Sequence, residues 1–170
     1  MTSHRPVPWL LVAAVLGSAH AAASLHWALG GDLLFTTVGE WARSWRADSP
    51  TAAGLALGAI GVGKLVAAWV PWLAARRGGP RHGLRIAAWL GAGGLVLYGL
   101  SSTLGGAVAL TGLLGPVEEP TATWGHVLLW DPLFLGWGLA LAAGLWAGRR
   151  RRPAPEGTDR RPERVGLSRG

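Results

Sequence analysis

Four stretches of this chain are long, apolar and almost free of charge, and that pattern leaves few folds open to it. They cover about residues 8–30, 51–75, 84–114 and 123–148. A helix needs roughly 20 apolar residues to cross the hydrocarbon core of a bilayer. In lipid every backbone N–H and C=O must find its partner within the protein, which restricts spanning structures to helices and closed barrels. The expected fold class is therefore all-α, an integral membrane four-helix bundle. It forms one transmembrane domain over residues 1–148, and a basic tail follows at 149–170. Charged residues make up 15% of the chain, against about 25% in soluble domains, and they cluster between the apolar runs.

The first run, "PWLLVAAVLGSAHAAASLHWALG", follows a short basic lead with His4 and Arg5. A cleaved signal peptide also begins that way. The length and the histidines favour a retained span. The third run exceeds what one crossing requires, so its far end is expected to tilt, kink or emerge.

Arginine placement orients the bundle, because cytoplasmic loops carry the excess of Lys and Arg. With both termini in the cytoplasm, thirteen arginines fall on that side and only Arg43 and Arg46 fall outside, where Asp32, Glu40, Asp48, Glu118 and Glu119 lie. The expected location is the inner (plasma) membrane, with multiple passes. The net charge of +7 is thus read as a topology signal. The tail, "RRRRPAPEGTDRRPERVGLSRG", has the composition of a disordered segment. It is suited to touch anionic headgroups, and it lacks the aromatic platform of a nucleic-acid binder. There is no cysteine, so disulfides, thiolate metal sites and cysteine nucleophiles are excluded. No metal and no cofactor is expected. Haem ligation by His26 and His126, which share a depth, would lack a second pair.

Trp9, Trp72 and Trp146 are expected in the cytoplasmic aromatic belt, and Trp27, Trp41, Trp45 and Trp124 in the outer one. Val38, Trp41 and Trp45 recur at helical spacing beside Glu40, Arg43 and Arg46. That predicts a short amphipathic helix in the first outer loop, either an interfacial anchor or a lid. Small residues four apart, Gly54 with Gly58, Gly136 with Ala140 and Ala140 with Gly144, let helices approach closely. They suit packing within one bundle, and they also admit an oligomer.

Ionisable groups inside a membrane segment are costly and mark functional sites. His20 lies near the middle of the first span and shares a helical face with Ser24 and Trp27. Tyr98 falls in the outer half of the third span, and His126, Trp130 and Asp131 in the outer half of the fourth. These six, His20, Trp27, Tyr98, His126, Trp130 and Asp131, form the candidate polar pocket. His26, Glu40 and Lys64 are weaker candidates. Lys64 is expected to snorkel toward the cytoplasmic side or to meet a helix carbonyl. Asp131-Pro132 has two readings. It is a favoured N-cap and N1 pair, or Pro132 bends a continuous helix with Asp131 buried inside it.

"LHWALGGD" at the end of the first span and "WDPLFLGWGLAL" in the last resemble a family of small bacterial four-span proteins, domain of unknown function 3995. The resemblance covers about residues 8–148 and implies fold and location, with no activity to carry over. The function expected from the residues is binding of a lipid-like or apolar small molecule in the outward half of the bundle. The alternatives are a structural or accessory membrane protein with no site of its own, and an ion- or proton-handling transport component. General acid–base chemistry on a bound apolar substrate is open to the same polar groups.

Overall fold

The computed structural model describes residues 7–149; the expected basic tail beyond Arg149 lies outside them. The described chain is helical and bundled, with α1 at Val7–Ala28, α2 at Glu40–Asp48, α3 at Pro50–Arg76, α4 at His82–Leu110, α5 at Pro120–Gly125 and α6 at Asp131–Arg149. A five-residue π-helical turn, His126–Trp130, joins α5 to α6 without a break. Four helical segments, Pro8–Ala28, Pro50–Arg76, His82–Leu110 and Pro120–Arg149, are long and apolar enough to cross a membrane. The protein is a multi-pass membrane protein. At about 1.5 Å per residue α4 is roughly 44 Å long, more than the hydrocarbon thickness. Its excess ends in the turn at 111–115, as the over-long third run required.

Leu10, Trp72, Trp89 and Leu145 belong to one cluster, so the ends near residues 7, 76, 82 and 149 lie together at an arginine-rich end. The connections 29–49 and 111–119 lie at the other, here termed the loop end. The spans do not form an evenly closed ring. α1 packs along α3 and along α6, α6 packs along α4, and α3 and α4 scarcely meet. The order across the bundle is thus α3, α1, α6, α4, with a seam open between the two outer helices.

Small residues make the inner seams. Ala13, Ala14 and Ala21 on α1 are fully buried, and Gly17 faces Ala68 and Trp137. Gly54 and Gly58 lie against Ala28, and Gly136 and Gly144 against Leu16 and Leu10. The small-residue motifs therefore serve contacts within the chain, α3 to α1 and α6 to α1. Between these close approaches sit two apolar clusters. One, toward the arginine end, holds Leu10, Ala68, Ala92, Trp137 and Leu141. The other, at the loop end, holds Trp27, Phe35, Ala42 and Trp130 and includes no residue of α4.

The amphipathic helix of the first loop is α2. Ala42 is buried in the loop-end cluster, while Trp41 and Trp45 stack on each other and remain exposed. The polar side of α2 is fastened down. Arg43 donates to the Thr36 carbonyl at 2.8 Å and to Glu119 at 3.2 Å, and the Glu40 N–H donates to Glu119 at 2.7 Å. Hydrogen bonds from Arg43 hold the Glu40 carboxyl below its ordinary range, and the same contact raises the Arg43 guanidinium. Arg46 pairs with Asp32, donates to the Gly31 carbonyl at 2.9 Å and lies over the Phe35 ring at 3.6 Å. Acidic residues of the two loops are thus matched to the two arginines on that side.

Two tryptophans leave the belts that sequence assigned to them. Trp27 is 5% exposed and packs edge-on against Phe35 and Trp130. Trp72 is partly buried against Trp69, with Arg76 over its ring. Trp9, Trp41, Trp124 and Trp146 are each at least half exposed.

Candidate functional site

Pro132 shapes the fourth span. Proline has no N–H to give to the carbonyl one turn back and its ring crowds that carbonyl, so a regular helix cannot run through unperturbed. Here the disturbance is absorbed as a π turn, and the Asp131 N–H bonds the His126 carbonyl five residues back. Asp131 is therefore inside a continuous helical rod and is no N-cap at its start. Five residues are roughly 140° apart around an α-helix of 3.6 residues per turn, which would point His126 and Asp131 different ways. The π turn brings them onto one side, where His126 Nδ1 lies 3.2 Å from Asp131 Oδ1.

Asp131 is 1% exposed. His126 Nδ1 is the hydrogen-bonding partner that the structure gives this buried carboxyl. His126 Nε2 faces the Val38 carbonyl at 3.4 Å, and Trp130 Nε1 donates to Thr37 Oγ1 at 2.9 Å. This first group, His126, Trp130 and Asp131 with Thr37 and Val38, joins the fourth span to the first loop. Trp27 Nε1 extends it, donating to the Leu33 carbonyl at 2.8 Å. His26 holds the start of the same loop by accepting the Leu33 N–H at 3.3 Å. His26 and His126 thus engage different partners.

A second group lies deeper. Lys64 Nζ donates to Ser24 Oγ at 2.9 Å and lies 3.0 Å from His20 Nδ1. Its charge is 5.6 Å from the centre of the Phe134 ring. The lysine stem therefore carries the ammonium to the level of His20 and Ser24 and away from the arginine end, the reverse of the expected cytoplasmic snorkel. Because Lys64 donates, His20 Nδ1 accepts and the neutral ring carries its hydrogen on Nε2. That nitrogen is buried and has no partner among the described residues. His20 is 5% and Ser24 2% exposed. No carboxylate pairs with Lys64 among the described residues.

Phe134 connects this cluster to the rest of the bundle. It lies 4.0 Å from the His20 ring and 5.3 Å from Tyr98, centre to centre. Tyr98 is half exposed, so it flanks the bundle interior and does not line it. Phe134 thus meets both Lys64 of α3 and Tyr98 of α4, two helices that scarcely touch each other. Of the six pocket residues predicted from sequence, Trp27, His126, Trp130 and Asp131 belong to the loop-end fastening and His20 to the deep cluster, while Tyr98 meets Phe134. Trp130 bridges the fastening and the cluster, 5.5 Å from His20 and 5.2 Å from Trp27. Glu40 stands apart in the α2 brace. Sequence reasoning passed over Ser24 as a ligand of Lys64, and Phe134 and Thr37 altogether. Ser24 was within reach of notice, since it shares a face with His20; nothing in the sequence marked Phe134 or Thr37.

No curated protein and no solved structure matches the chain significantly. A family model described as "Protein of unknown function (DUF3995)" matches residues 8–141, which takes in α1 through the loop-end half of α6 and so includes both polar groups. The chain belongs to this family.

Proposed function

We propose that the protein binds a lipid-like molecule taken laterally from the bilayer through the seam between α3 and α4, with the polar end of that molecule directed at Lys64 and His20. The observation that carries this reading is a lysine within a membrane span, bonded to Ser24 and His20 without a carboxylate partner among the described residues, beside Phe134 where α3 and α4 scarcely meet. Intramembrane charges are expensive, and where they occur they face a partner, a cavity or a substrate path. Serine and a neutral imidazole leave the charge of Lys64 uncompensated. A surface groove of about 650 Å³ at the loop end of α1 and α3 is a weaker candidate, because its lining, from Leu25 to Ala59, is almost wholly apolar.

On this reading the Asp131 group is a fastener. His126, Trp130 and Thr37 hold the first loop and α2 over the loop end, and so keep water from the deep cluster. The orientation that accompanies it is both termini in the cytoplasm, with the loop end on the outer face of the inner membrane and the arginine end against anionic headgroups. Photo-crosslinking tests the binding site. A long-chain probe bearing a diazirine, added to native membranes containing the protein, is expected to label the walls of the α3–α4 seam near Lys64 and Tyr98. Labelling spread evenly over lipid-facing positions such as Val15 and Leu139 would overturn the reading.

A further inference from the structure

We infer that the occupant of the α3–α4 seam is a single-chain carboxylate, a fatty-acid-like anion; this rests on the binding reading above and gives the ligand its chemistry. The cluster is rich in donors and poor in acceptors. A lysine ammonium has three N–H donors and no acceptor. Ser24 and His20 occupy two of them, which leaves one free. His20 Nε2 is buried against Phe134 and Trp130 with no partner among the described residues, so the donor open to an occupant is the third N–H of Lys64. One free N–H and one net positive charge match the single negative charge of a carboxylate. Charge-assisted hydrogen bonds of that kind are about twice as strong as neutral ones. A neutral ester or alcohol would meet the donors and leave the ammonium uncompensated, at the cost that buried unpaired charges carry.

Depth favours an occupant with a small headgroup. Ser24 and His20 lie four and eight residues from the loop end of α1, about 6 and 12 Å along the helix. A headgroup drawn to that level must be small. Beyond it, toward the arginine end, Trp69, Trp72, Trp89 and Trp137 fill the interior, so the hydrocarbon chain runs along the seam against the Phe134 and Tyr98 rings.

The test uses full-length protein in detergent micelles at pH 7, with direct binding of palmitic acid, methyl palmitate and a lysophosphatidic acid. Palmitate is expected to bind about tenfold or more tightly than its methyl ester, the margin a hydrogen-bonded charge pair supplies. Lys64→Met is expected to erase that margin and Lys64→Arg to keep most of it, with helicity by circular dichroism confirming that each variant is folded. Equal binding of acid and ester by the wild-type protein would overturn the carboxylate inference and leave the seam reading standing. Lysophosphatidic acid binding as tightly as palmitate would overturn the choice of a carboxylate headgroup. Binding of none of the three would remove both readings.

Discussion

Asp131 shows how a carboxylate can sit within an apolar helix. One proline withholds an N–H from the helix ladder, the ladder widens by one residue, and the widened turn carries His126 round to face the carboxylate. Next to the pair, Trp130 Nε1 donates to Thr37 of the first loop and fastens that loop to the turn. Removing one member of the pair strands the other, and a buried polar group left without its partner costs about 1–3 kcal/mol, more if charged. Asp131→Ala and His126→Ala are each expected to lower the thermal unfolding midpoint in detergent by several degrees. The double variant should lose much less than the two losses combined, because contacting residues are not additive. Full additivity would show that the pair is uncoupled. Asp131→Asn keeps the shape and an acceptor oxygen, and is expected to cost less than Asp131→Ala.

At the scale of elements, what decides the packing is where one backbone can touch another. Gly99 of α4 lies where a side chain would fall within 3 Å of the Asp131 carbonyl and the Leu135 backbone. α4 therefore docks on α6 beside the proline-distorted turn, and no rotamer change could make room there. Gly94, elsewhere on α4, has nothing within 4 Å of its would-be side chain. Gly99→Ala is expected to destabilise by about 1–3 kcal/mol, the cost of forcing extra volume into a packed contact. Gly94→Ala should be neutral or mildly stabilising, because alanine favours helix by up to about 1 kcal/mol over glycine. Equal effects in an unfolding titration would sink this account of the α4–α6 seam. The four long spans, the α2 helix and the over-long α4 were legible as sequence, because each is a local pattern of apolar length or periodicity. The π turn was not, since Asp131-Pro132 supports either a helix start or a kink. Which one forms depends on whether the carboxylate finds a partner across the turn.

The whole molecule combines a closely packed pair, α1 and α6, with two flanking helices that part from each other. The closeness comes from alanine and glycine at the inner seams, where helices in lipid gain their packing. The open seam follows from the order of the spans, with α3 and α4 consecutive in sequence but on opposite flanks of the central pair. The orientation of the whole can be tested cleanly, because the chain has no cysteine. Single cysteines at Gly79, in the turn between α3 and α4, and at Ala47, exposed on α2, should be reached by a membrane-impermeant maleimide from opposite sides. The cytoplasmic assignment predicts that Ala47→Cys is labelled in intact spheroplasts and Gly79→Cys only after lysis; the reverse pattern would invert the bundle.

Apolar run length and arginine placement were enough to identify a four-span membrane protein and to single out its intramembrane polar residues, because crossing a bilayer imposes a length and a charge asymmetry that no distant contact alters. Pairing was another matter. Lys64 could have snorkelled to either side, and Asp131 could have capped a helix. The direction of a long side chain and the phase of a proline-disturbed turn depend on what the neighbouring helices present. Only the packed bundle placed His20 and Ser24 within reach of Lys64 and set Phe134 between α3 and α4.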